Sequence, residues 1–269
     1  MALSATNGCT TVVAQEPGVG GGSGGDSGIG ADGAGSSSSG GGGSSGSGSG
    51  SGGFSDAAGA CLPGDVTTYA PQYRPASGVY QGQCTDAELM DFFDDCLGSK
   101  ASASACDTFR SSSNHSRCAG CVLTPDSDPK YGPLIGHGSF VTANVAGCIE
   151  ITDATTTGLA CAKAVQAVAG CELLACEANC DVHDGPSLNA YDSCASTADQ
   201  AGCSSYASAS SCVDALQEAG DGVAQCLVQD FATFYGAAAR LFCGDAPPVE
   251  AGAPYDAGSA PPDGSTAGE

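Results

Sequence analysis

The chain has 269 residues, 17 cysteines and a formal net charge of −23, because its acidic residues far outnumber its seven lysines and arginines. The seven cations are scattered and form no basic stripe, so the composition argues against nucleic-acid binding and against attraction to anionic lipid. No run of about 18 consecutive apolar residues occurs, and we therefore expect no membrane-spanning helix.

Residues 1–17 contain one isolated cysteine, Cys9, which follows Gly8. A cysteine placed after a small residue and before a flexible segment resembles the lipidation site of bacterial lipoproteins. Thr6 and Asn7 depart from that pattern, and the basic and apolar segments of a signal peptide are missing before them. We interpret residues 1–17 as a signal-peptide remnant and Cys9 as lipidated. The alternatives are another secretion route, a cytosolic protein, or a chance cysteine in a disordered leader.

Two segments have the composition of disordered chain. Residues 18–53 hold 19 glycines and 11 serines in 36 positions, so we expect a flexible linker that tethers the folded domain to the anchor. Residues 246–269 are acidic and rich in proline, alanine and glycine, and we expect a disordered tail. The part that can fold therefore lies between them.

Helical patterns dominate this part. Thr85 and Glu88 have the spacing of a capping box, followed by apolar residues at steps of three and four. Similar periodicity predicts a helix in "TTTGLACAKAVQAVAG" that ends at Gly170, and a long helix in "DGVAQCLVQDFATFYGAAARLFCG" that ends at Gly244. Residues 140–151 fit either a short strand or the beginning of a buried helix.

Some of the cysteines belong to a weak sequence repeat. Residues 93–118 and 191–212 both read aromatic-Asp-x-Cys, then Cys-x-x-aromatic, then Cys. We predict a mainly α, disulfide-rich helical domain of two decayed repeats, residues 54–178 and 179–245, each a helical hairpin pinned by disulfides.

Sixteen of the 17 cysteines lie in this domain, a density typical of an exported disulfide scaffold. Their spacing leaves the connectivity open. The cysteines expected to form disulfides are Cys61, Cys84, Cys96, Cys106, Cys118, Cys121, Cys148, Cys161, Cys171, Cys176, Cys180, Cys194, Cys203, Cys212, Cys226 and Cys243.

Two cysteine clusters have spacings that metals also use. His115, Cys118 and Cys121 form H-x-x-C-x-x-C, which offers three soft ligands but has no second C-x-x-C to complete a zinc site. Cys176 and Cys180 share a helical face, as thiolates of copper(I) stores do. We expect structural disulfides at both clusters and keep a thiolate metal store as an alternative.

One pattern resembles secreted phospholipases A2. The segment 131–138 is similar to their calcium loop, and Cys180, His183 and Asp184 match the end of their catalytic-helix motif. The resemblance implies His183 as general base and Asp184 as calcium ligand. However, Asn179 replaces a cysteine, and the two motifs lie too far apart for the family, so a hydrolase is an alternative only.

The block that begins "CTDAELMDFFDDCLG" and continues through "GLACAKAVQAVAGCELLACEANC" also resembles cysteine-rich hypothetical proteins of myxobacteria, which are often predicted lipoproteins with Gly/Ser-rich leaders. The resemblance implies no activity. We therefore expect an exported, lipid-anchored surface protein at the outer membrane or outside the cell. We expect a non-enzymatic binding or structural module with an unknown protein or glycan ligand, and no cofactor, bound metal or nucleic-acid partner.

Overall fold

The computed structural model describes residues 13–15, 61–218, 222–228 and 230–247. Cys9, the predicted linker 18–53 and most of the predicted tail lie outside the described residues. Within them the protein is mainly helical, as predicted, with one small sheet.

The helices are short apart from α5 and α6. They are α1 (Asp86–Phe92), α2 (Ala103–Ser111), α3 (Ser116–Val122), α4 (Val145–Thr152), α5 (Thr156–Cys176), α6 (Gly185–Asp199), α7 (Ser204–Ala209), α8 (Cys212–Glu218) and α9 (Phe231–Cys243). A π-helical turn, Phe93–Leu97, continues α1, and a 3₁₀ turn, Gly222–Cys226, lies between α8 and α9.

The sheet contains four strands in the order β1-β4-β3-β2. They are β1 (Val13–Gln15), β2 (Leu123–Pro125), β3 (Leu134–Gly136) and β4 (Phe140–Ala143). β4 pairs antiparallel with β1 and β3, whereas β2 and β3 are parallel. Since β1 lies in the sheet, the segment 18–53 connects β1 to the helical region along the chain. The predicted flexible linker lies outside the described residues and stays a prediction.

Several local predictions are confirmed and two are wrong. Thr85 and Glu88 form the predicted capping box at the start of α1. Residues 140–151 hold both a strand and a helix, because the side chain of Asn144 caps α4 directly after β4. The predicted helix end at Gly170 is wrong, since α5 continues to Cys176. The long C-terminal helix is instead divided, and Asp230 caps α9.

All sixteen predicted cysteines are paired, which confirms the disulfide scaffold. The bridges are Cys61–Cys180, Cys84–Cys118, Cys96–Cys106, Cys121–Cys243, Cys148–Cys226, Cys161–Cys212, Cys171–Cys203 and Cys176–Cys194.

The two predicted hairpins have different bridges. The bridge Cys96–Cys106 connects two positions within the first hairpin. Their counterparts, Cys194 and Cys203, each bond to α5 instead. The second unit is therefore not a hairpin closed on itself, and a duplication of the chain stays a prediction.

Two apolar clusters form the core. The larger packs α1 to α4 and the first half of α5 against α9, around Phe92, Phe234 and Phe242. The smaller lies between the second half of α5 and α6, around Tyr191. Both clusters draw residues from either side of residue 178.

Helix α5 is long and apolar enough to cross a membrane by length and composition. Its cysteines, however, are bonded to α6, to α8 and to the turn before α7. Helices α4, α6 and α7 also pack against it. We therefore interpret α5 as the central core helix.

Candidate functional site

The predicted hydrolase pair has a structural role. Asp184 is the N-cap of α6, and its carboxylate accepts a 2.8 Å hydrogen bond from the backbone N–H of Ser187. That hydrogen bond lowers the pKa of Asp184. The Nδ1 of His183 lies 2.9 Å from the carbonyl oxygen of Asp181, and the imidazole is largely exposed. Both side chains thus have local partners at a helix start.

The two cysteine clusters with metal-like spacing are disulfide-bonded, as expected. Cys118 and Cys121 bond to Cys84 and Cys243, and the ring of His115 stacks on Phe109 with centroids 4.5 Å apart. Metals bind thiolates, and a bridged sulfur is not one. In this oxidised form the H-x-x-C-x-x-C pattern therefore provides no thiolate ligand.

Cys176 and Cys180 are also bridged, to Cys194 and Cys61 respectively. The structure brings the Sγ atoms of Cys61, Cys180 and Cys194 within 4.8 Å of one another. The two bridges therefore lie side by side at the end of α5, which the sequence did not predict.

A groove on the surface is a better candidate for a binding site. It consists of two adjoining recesses of about 300 and 460 Å³, which run along the exposed face of α9. Ala232, Gly236 and Arg240 belong to both recesses and follow one another at four-residue steps on that face. Apart from the backbone of α9 itself, no atom lies within 4 Å of the position that a Cβ at Gly236 would occupy. The groove therefore has open space at this glycine.

The walls of the groove combine apolar and polar groups. Met90 of α1 is 62% exposed, and the buried Tyr235 donates its hydroxyl to the carbonyl of Leu89. Arg240 donates from Nε to Asp86 at 2.8 Å and remains largely exposed. Gln225 and Thr233 add further polar side chains at the second recess. The groove thus offers apolar surface with hydrogen-bonding groups on both sides.

Tyr80 is the unusual residue of this groove. Its φ is 45°, and among the described residues it is the only one with positive φ that is not glycine. A bulky side chain at such a φ is strained, by about 1–3 kcal/mol. The backbone N–H of Tyr80 donates to the carbonyl of Leu241 and so caps the end of α9.

That hydrogen bond involves only the backbone of Tyr80, so it does not explain why the side chain is a tyrosine. Glycine or asparagine would adopt the same conformation with less strain. Instead the chain keeps a tyrosine whose side chain is exposed at the edge of the groove. Strained residues of this kind cluster at binding and catalytic sites.

Sequence reasoning missed this groove. The sequence pattern gave no functional role to Arg240, Tyr80 or Met90. A weak signal was present in "GVYQG", where the tyrosine lies between Gly78 and Gly82, two glycines that also have positive φ.

No protein-family model, curated protein or solved structure matches this chain. Its function must therefore be inferred from its own geometry.

Proposed function

We propose that this protein is an exported, non-enzymatic binding module that displays the groove along α9 at the cell surface. The observation that carries the proposal is the strained, exposed Tyr80 at the edge of that groove. Eight bridges support the extracytoplasmic location, because disulfides persist in oxidising compartments.

The proposal includes a lipid anchor at Cys9. Val13 of β1 lies four positions after Cys9, and an extended chain spans at most about 3.6 Å per residue. A lipid at Cys9 would therefore keep the sheet within roughly 15 Å of the membrane surface. The myxobacterial resemblance, with its predicted lipoproteins, agrees with this arrangement.

The groove fits a neutral glycan best. The Tyr80 ring offers a flat apolar face for the C–H face of a sugar, and Arg240, Asp86, Gln225 and Thr233 can hydrogen-bond its hydroxyls. The net charge of −23 repels anionic ligands at long range, which disfavours acidic polysaccharides and nucleic acids.

The test uses the full chain and neutral glucan and mannan oligosaccharides, with affinity measured by titration calorimetry. We expect Tyr80→Asn to lower affinity by about 5- to 150-fold, by analogy with the roughly 1–3 kcal/mol that an aromatic ring contributes when it stacks on a nucleic-acid base. Its melting temperature should stay the same or rise, because asparagine tolerates this φ. Tyr80→Phe should keep the affinity.

Leu174→Ala is the control, because this residue is also exposed and apolar but lies on α5, outside the groove. It should bind as the unmodified protein does. Equal affinity in Tyr80→Asn, or no binding of neutral oligosaccharides by the unmodified chain, would reject the proposed function.

A further inference from the structure

The two neighbouring bridges at the end of α5 differ in exposure. Cys61 is partly exposed and is followed by Leu62, whose side chain is 61% exposed. Its partner Cys180 is 5% exposed, and Cys194 and Cys176 are more deeply buried. An external thiolate therefore reaches Cys61 before any other sulfur of the two bridges, and access decides which sulfur is attacked.

The distances connect the exposed bridge to the buried one. Cys194 Sγ lies within 4.8 Å of both Cys61 Sγ and Cys180 Sγ, although it is bonded to Cys176. A thiolate released at Cys180 would thus have a disulfide sulfur as its immediate neighbour. Such an intramolecular nucleophile acts at an effective concentration far above that of a dissolved thiol.

We propose that Cys61 is a thiol-exchange site from which disulfide exchange passes inward to Cys176. The inference is independent of the glycan ligand. Its reactant is a small thiol or the thiolate of a partner protein.

The exchange has three steps that balance. The external thiolate attacks Cys61 Sγ, a mixed disulfide forms, the Cys61–Cys180 bond breaks, and its electron pair leaves on Cys180. The Cys180 thiolate then attacks Cys194, which forms a Cys180–Cys194 bond and releases Cys176 as a thiolate that takes up a proton. A second external thiolate attacks the external sulfur of the mixed disulfide and releases Cys61.

The net result is that two external thiols become one external disulfide, and the protein gains thiols at Cys61 and Cys176. Cys180 remains covalently attached, now to α6. The chain at Cys61 loses its covalent link to the end of α5 and keeps only non-covalent contacts there, such as the hydrogen bond from Gly64 N–H to the carbonyl of Ala175. The exchange would therefore release the entry of the chain into the domain, and it would replace the α5–α6 bridge Cys176–Cys194 with a bridge from α6 to Cys180, which lies just beyond the end of α5.

The test treats the folded full chain with limiting glutathione, quenches with iodoacetamide, and maps alkylated and cross-linked peptides by mass spectrometry. We expect the first alkylated pair to be Cys61 and Cys176, together with a new Cys180–Cys194 cross-link. Alkylation of Cys61 and Cys180 with Cys176–Cys194 intact would overturn the proposal. Reduction of any other bridge before Cys61–Cys180 would also overturn the proposal.

The matched control is Cys176→Ala/Cys194→Ala, which removes the acceptor bridge. In that variant the first thiols should appear at Cys61 and Cys180. The unmodified chain alone decides the question if the variant does not fold. Cys96–Cys106 is an internal reference, because its two cysteines should always be alkylated together.

Discussion

Asp192 on α6 is a carboxylate whose ionisation opposes folding. Burial raises its pKa from an ordinary value of 3.8 to about 6. Below pH 3.8 the carboxyl is neutral in both the folded and the unfolded state, so its contribution to stability is fully present there. That contribution is lost as the pH rises through about 6, because the folded state must then hold a partly buried charge.

We therefore predict that Asp192→Asn raises the melting temperature at pH 7 and leaves it nearly unchanged at pH 3.5. Thermal unfolding followed by circular dichroism between these pH values measures the difference. Asp107→Asn, at an exposed position inside α2, is the control and should show no such pH-dependent gain. A pH-independent effect of Asp192→Asn would contradict this role of burial.

The carboxylates at two helix caps have the opposite pH dependence, because their ionisation favours folding. Hydrogen bonds from Thr85 and Thr233 lower the pKa values of Glu88 and Asp230. The stability that these carboxylates contribute is present above their unfolded pKa and is lost as the pH falls. The capping box of Thr85 and Glu88 was predictable from sequence, because it requires only residues three positions apart. The cap at Asp230 was not predicted, since this residue lay inside the predicted long helix.

Tyr80, in contrast, was not predictable at the residue scale. Its conformation depends on a hydrogen bond to Leu241, a residue far away in sequence. Local propensity carries no information about such a partner.

At the scale of the helices, two glycines have opposite roles. Gly236 lies inside α9 with open space where a Cβ would be, whereas at Gly170 in α5 a Cβ would meet the hydroxyl of Tyr69. That hydroxyl donates to the carbonyl of Ala167 at 2.9 Å and fixes Tyr69 against the helix. One glycine is therefore replaceable and the other is required for close packing.

We predict that Gly236→Ala stabilises the protein by about 0.5–1 kcal/mol, the helix-propensity difference between the two residues. Gly170→Ala should destabilise it by about 1–3 kcal/mol through overpacking. Guanidinium unfolding of both variants measures the two changes in the free energy of unfolding. Destabilisation of both by similar amounts would show that the space at Gly236 is not available in solution.

The same contact explains why sequence reasoning misplaced the end of α5. Glycine usually marks a helix end, and Gly170 follows a clear apolar stripe. Here it is a contact point for Tyr69, and the helix continues because Cys171 and Cys176 are buried in the smaller core cluster. Tertiary packing overrode the local signal.

Across the whole molecule, sequence predicted the number of bridges but not their pairs. Cys96–Cys106 closes a short local loop, whereas Cys61–Cys180 and Cys121–Cys243 join residues 119 and 122 positions apart. Such pairs are set by how the helices pack, which spacing does not encode. The groove was not predictable for the same reason, since the residues that line it are far apart in sequence, at 80–94 and 225–241.

The disulfide network also explains how a chain with many short helices can fold. Short helices are marginal alone, and bridges remove conformational freedom from the unfolded chain. Because α5 holds three bridges, its partners α6 and α8 are covalently bound to the core.

The most direct test of this account is a disulfide and lipid map of the full chain purified from its native host. The protein would be alkylated without reduction, digested and analysed by mass spectrometry. The account predicts cross-linked peptides for the eight pairs described here and a lipid-modified fragment that begins at Cys9. Alkylated thiols throughout the domain, with an unmodified Cys9, would contradict both the exported location and the anchored binding module.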